Sequence, residues 1–189
     1  MIVDEKYAKF VRLLAQSREN RTFLNSDEDK AVEVLSNLFR ISAKEVRIFA
    51  GNLCEHVGNQ LEYIIALSEF IERGGTVCIL LNSYNEDMAR TSNLFKRLAY
   101  YKSEGKPIFV KTSTAKPYLA SDPKQRPVHF TVGDNMAYRI ETDIENRTAL
   151  CNFNNPELAE KTAVFFDELF NREDVKDVDI IKLFENGNK

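Results

Sequence analysis

Residues 76–82, TVCILLN, run almost without interruption in apolar side chains. Such a run suits a strand buried on both faces, which is the habit of parallel sheets. Its neighbours extend the pattern. From Glu45 the segment VRIFAG is short, β-rich and closed by Gly51, and residues 59–73 then carry Leu61, Ile64, Ile65, Leu67 and Phe70 at helical spacing until Gly74-Gly75. Beyond the apolar run, a helix is expected from about Asp87 to Lys102, with Met88, Leu94, Phe95 and Leu98 turned inward. Gly105 and Pro107 stop it, and Ile108 to Lys111 reads as a third strand. Two strand-helix-strand passages make a right-handed βαβαβ unit, whose ligand-facing loops lie at the carboxyl ends of the strands. Asn52 and His56, Asn82, and Thr112 stand in those loops and are candidate ligand-binding residues.

The stretch from Val128 to Asn154 adds an antiparallel part. Val128, Phe130 and Val132 alternate with His129, Thr131 and Gly133, the pattern of a strand with one buried face. Asp134-Asn135 suits a two-residue turn, because both residue types tolerate positive φ. Met136 to Ile140 is the expected partner strand, and Thr148 to Phe153 a third. Glu141, Asp143 and Glu145, beside Arg139 and Arg147, read as the solvated end of the hairpin. Two amphipathic helices precede all this, over Asp4 to Ser17 and from the N-cap candidates Asn25-Ser26-Asp27 to Ile41. A helix opening at Asn155-Pro156, and a more polar one from Asp174 to Phe184, close the chain. The expected organisation is one structural domain: residues 1–43 a helical segment packed on the core, 44–171 the core, and 172–189 a helical tail.

Composition narrows the functional classes. The 189 residues suffice to bury a core without crosslinks, and 43% hydrophobic with 29% charged residues is ordinary for a globular chain. A net charge of −3 gives no signal for nucleic acid or an anionic membrane. No apolar run approaches the roughly 20 residues of a membrane helix, and the N-terminus lacks a signal-peptide core, so a cytoplasmic location is expected. Cys54, Cys78 and Cys151 are too few and too scattered for a disulfide framework and are read as reduced. Cys54 and His56 lack a second pair at zinc spacing, so no metal is expected. No phosphate-cradling glycine loop occurs, and no cofactor is expected.

The order of elements resembles one half of the phospholipase D-like superfamily. The likeness covers roughly Phe39 to Phe170 and is carried by AKEVRIFAG, GGTVCILLN, His129 on its strand, ALCNFN, and the closing NPELAEKTAVFFDELF. It implies an α-β-α sandwich whose mixed sheet combines the βαβαβ unit with an antiparallel hairpin. In active members an H-x-K-x4-D motif supplies a histidine that attacks a phosphodiester, with a lysine and an asparagine holding phosphate oxygens. One-motif members build the site by dimerising. Here the lysine position holds Thr131 and the aspartate position Met136, while Asp134 is turn material. A threonine brings no charge, and charge-assisted contacts are about twice as strong as neutral ones.

The resemblance therefore implies a catalytically degenerate domain that acts as a binding or interaction module, as a homodimer, with a protein partner or a phosphate-containing ligand. A phosphodiesterase or nuclease working through His129 is the alternative, and a small-ligand sensor a third. By residue type alone, a strand histidine such as His129 is a hydrogen-bonded structural residue and His56 a solvated loop residue. Asn152 and Asn154 either face the crevice with Thr131 or cap the helix at Pro156. Catalysis would be revived by a cation reaching the pocket from elsewhere, for which Lys111, Lys116 and Arg139 are the residues to follow.

Overall fold

The computed structural model describes residues 4–185. The central sheet contains β1 (Phe23–Asn25), β2 (Glu45–Ala50), β3 (Thr76–Leu81), β4 (Ile108–Thr112), β5 (His129–Gly133), β6 (Ala137–Asp143), β7 (Thr148–Asn152) and β8 (Lys176–Asp177). The strands lie side by side in the order β1-β7-β6-β5-β2-β3-β4-β8. β2, β3 and β4 are mutually parallel, and β5, β6 and β7 run antiparallel beside β2. This is a mixed α/β sheet, as the alternation of patterns predicts.

Helices α1 (Glu5–Ser17), α2 (Glu28–Ile41), α3 (Leu61–Glu72) and α5 (Asn93–Ser103) cover one face of the sheet. Their apolar stripes meet Val77, Ile79 and Leu81 of β3 and Val46 and Ile48 of β2. The long α6 (Pro156–Phe170) covers the other face, where Ala163 and Phe166 meet Phe49, Leu80, Phe130 and Tyr138. The excursion from Thr114 to Pro127 lies over that second face through Ala115 and Leu119. Alternate side chains of β3 enter opposite cores, which is why its sequence shows no polar alternation. Burial pushes the Cys54 thiol up to about 11, and those of Cys78 and Cys151 up to about 12.

Three expectations are corrected. The helix expected over residues 87–102 is two: α4 (Glu86–Thr91) ends at Ser92, whose extended backbone also starts α5 and whose hydroxyl accepts the Phe95 N–H. The helix expected from Asp174 to Phe184 does not form. Residues 176–177 instead pair with β4, the Val178 N–H donates to the Val110 carbonyl, and only α7 (Lys182–Glu185) is helical, anchored by the buried Ile180 and Leu183. β1, read as part of a cap, pairs with β7 and extends the sheet.

Candidate active site

Two neighbouring strands build the site. Along β5, Phe130 and Val132 point toward α6, so His129 and Thr131 point toward α2. Along β6, Tyr138 and Ile140 join the α6 side, leaving Arg139 and Glu141 opposite. The register sets Thr131 beside Arg139 and His129 beside Glu141, giving four polar side chains on one face.

One carboxylate joins three basic groups. Glu141 Oε1 accepts from Arg139 Nη2 at 3.1 Å, and its Oε2 lies 3.8 Å from Arg147 Nη1 and 3.5 Å from His129 Nδ1. The last contact is long for a hydrogen bond. It nevertheless turns Nδ1 toward the carboxylate and leaves Nε2 as the ring nitrogen for a ligand. Arg139 also donates from Nε to Asn25 Oδ1 at 2.9 Å and from Nη2 to the Arg147 carbonyl at 3.2 Å. The Glu141 and Arg139 side chains are only 5% and 7% exposed. Burial by itself raises the Glu141 carboxyl, but His129, Arg139 and Arg147 outweigh it and hold the group below the usual carboxylate range. The glutamate expected at a solvated hairpin end is therefore the hub of a buried network.

A cavity of about 310 Å³ opens before this network. Asn52, His56, His129 and Thr131 all line it, together with Arg139, Glu141, Arg147, Glu55, Tyr63 and Leu35. The loop after β2 forms its mouth. Here Leu53 and His56 hold positive φ, Asn52 Oδ1 accepts the Cys54 N–H at 2.9 Å, and a short 3-10 turn spans His56–Asn59. His56 Nδ1 lies 2.7 Å from Glu28 Oε1 of α2, and its side chain is 55% exposed, so this is a solvated loop histidine with one carboxylate partner. Burial raises the Tyr63 hydroxyl above its ordinary value and keeps it a neutral donor.

The other candidates lie elsewhere, each for a stated reason. Asn152 pairs in register with Tyr138 and so belongs to the parity facing α6; its Nδ2 donates to Asn20 Oδ1 and Thr22 Oγ1. Asn154 Nδ2 donates to the Arg18 carbonyl, and Asn155, not Asn152 or Asn154, caps α6 through the Leu158 N–H. Asn82 Nδ2 holds the Ala115 carbonyl. Thr112 pairs with Lys176 and borders a separate cleft beside Tyr84 and Arg90. Lys111 donates to the Phe170 carbonyl and lies over that ring, and Lys116 is not among the cavity residues. Of the three cations to follow, Arg139 is the one that reaches the pocket.

Sheet order and flanking helices make an α-β-α sandwich with the phospholipase D-like fold. Solved structures share this fold. Nuc from Salmonella typhimurium, a phospholipase D family member, is 16% identical over 85% of this chain and 99% of its own, with a TM-score of 0.57. TrmBL2, an archaeal chromatin protein, is 14% identical over 92% of this chain and 62% of its own, with a TM-score of 0.56. NucT from Helicobacter pylori is 12% identical over 80% and 96%, with a TM-score of 0.54. No protein-family model and no curated protein matches the chain by sequence.

Proposed function

We propose that this chain is a phospholipase D-like binding module whose cavity recognises a phosphate group with little or no turnover. One observation carries the reading: position 131 holds a threonine, and both arginines of the cavity lie against the single carboxylate of Glu141. Their charge is thereby partly spent before a ligand arrives. Losing one electrostatic contact to a reacting group commonly costs on the order of 10²–10³ in rate. Homodimerisation belongs to this reading, with Val164 and Phe165 of α6, 52% and 39% exposed, as apolar surface for the second copy. A monomer mass by light scattering at micromolar concentration would remove that part.

Phosphodiesterase or nuclease activity is the second reading, favoured by a specific arrangement. His129 and His56 line the same cavity as Arg139 and Arg147, so a nucleophile, an acid and two cations are available within one copy. The similar structures include phospholipase D-type proteins and a chromatin protein described with a mode of DNA binding, which supports a phosphodiester as the ligand class.

Titration with inorganic phosphate and an assay on bis(p-nitrophenyl) phosphate separate the two. The binding reading expects measurable phosphate affinity and negligible hydrolysis. Thr131→Lys should then strengthen phosphate binding by about 1–3 kcal/mol through a charged hydrogen bond. Robust hydrolysis abolished by His129→Ala, and slowed by His56→Ala, would replace it with the enzyme reading.

A further inference from the structure

The cavity has two unlike walls. One is the polar strand wall of His129, Thr131, Arg139 and Glu141; the other carries Leu35 of α2, Tyr63 of α3, and Leu53 and Val57 of the loop after β2, with the polar Asn52, Glu55 and His56 of that loop at its mouth. Leu35 and Tyr63 belong to the main core, at 5% and 1% exposure, so this wall is built by the fold. The loop is fixed as well. A Cβ at Gly58 would stand 2.4 Å from the Leu53 carbonyl oxygen, and the contact of His56 with Glu28 ties the loop to α2. A preformed cavity of about 310 Å³ lies at the lower end of the range in which proteins bury small molecules.

We propose that the cavity binds a small organophosphate: a phosphate ester carrying one compact planar, apolar group. The phosphate lies toward Arg139, Arg147 and Thr131, and the planar group packs on Leu53 and Val57, which the buried Leu35 and Tyr63 back. This rests on the anion-binding reading above and adds to it the chemistry of the ester group. An aryl phosphate has that chemistry outright, and a mononucleotide shares the phosphate and a planar ring, whereas a glycerol phosphate lacks the planar half.

Calorimetric titration of the full chain with inorganic phosphate, glycerol phosphate, phenyl phosphate, adenosine monophosphate and a short single-stranded oligonucleotide tests this. Phenyl phosphate, or adenosine monophosphate where the source is a nucleotide, is expected to bind at least about tenfold more tightly than the first two ligands, the equivalent of about 1.4 kcal/mol. Leu53→Asn suits the left-handed backbone at φ 57° and removes the apolar contact. It should reduce that preference, read as the ratio of the two affinities on the same variant, to within about threefold, with a single cooperative melt showing that the variant is folded. Equal binding of all the small phosphates would overturn this inference and leave the anion reading standing. No binding of any would remove both. An oligonucleotide binding more tightly than the mononucleotide would replace the small ligand with a strand.

Discussion

Glu141 is the residue on which the site turns, because among the described residues it is the only carboxylate in contact with His129, Arg139 and Arg147. Removing one member of a buried ion pair commonly costs about 3–5 kcal/mol, since the partner is left charged and dry. Glu141→Ala should therefore destabilise the fold by about that much. Glu141→Gln, which still accepts from Arg139, should cost about 1–3 kcal/mol. Denaturant unfolding at neutral pH measures both. The pH dependence has a definite sign. A carboxyl held below its ordinary value of 4.5 contributes stability that is complete above that pH and is lost as pH falls through the lower folded-state value. Wild type should thus lose stability more steeply below pH 4.5 than Glu141→Gln, and parallel curves would show that the network does not hold the ionised form. Sequence pattern identifies Arg139 as a cation to follow, yet it assigns Glu141 to solvent. Arg139 and Glu141 share a strand face with little apolar content, which reads as an outer face. Asn25 and α2, about a hundred residues earlier, cover that face and reverse its meaning.

At the level of elements, the hairpin register decides which side chains meet. Asp134 and Asn135 do take positive φ, at 52° and 53°, and the Met136 N–H closes the turn on the Gly133 carbonyl. Met136 is nonetheless an extra residue, because the ladder resumes with Gly133 opposite Ala137. A strict two-residue turn would set Thr131 beside Tyr138; the added residue sets it beside Arg139. A one-residue slip exchanges the two faces of a strand, so the elements of this region were legible while the site they form was not. The turn is also held from outside. Asp134 accepts from the backbone N–H groups of Ala43, Lys44 and Glu45 at 2.6, 2.8 and 2.9 Å, fixing the connection from α2 into β2. Hydrogen bonds to a charged acceptor contribute about 1.5–3 kcal/mol each in isolation and less when partly exposed. Asp134→Ala should cost about 2–4 kcal/mol and loosen the α2–β2 connection. Asp134→Asn, which tolerates the same φ, should lose less than half as much. Thermal melts rank the two, and equal losses would mean that backbone conformation, not the three bonds, is what the aspartate supplies.

For the molecule as a whole, residues 4–43 are bound into the core by more than surface packing. α2 contributes Val34, Leu38 and Phe39, all fully buried, and presents Leu35 to the cavity. β1 covers the open edge of β7, pairing Phe23 with Cys151, and its Asn25 fixes Arg139. Of the aromatic residues on α5 and α6, Phe95, Tyr101 and Phe166 are buried within the chain itself, whereas Tyr100 and Phe165 are exposed. The three buried rings therefore offer no surface to a second copy. A core assembled from both ends of the chain should unfold as one cooperative step, because no part retains a complete apolar face without the rest. Two measurements on the full chain test this: far-ultraviolet circular dichroism and tyrosine fluorescence should trace one coincident denaturant transition. Deletion of residues 1–43 should abolish that transition, leaving a chain sensitive to protease at low enzyme concentration, since the sheet face beneath α2 and the edge of β7 are then both open. Separate transitions for the two probes, or a truncated chain that melts cooperatively, would mean that residues 44–171 fold alone and that α1, β1 and α2 are an appendage.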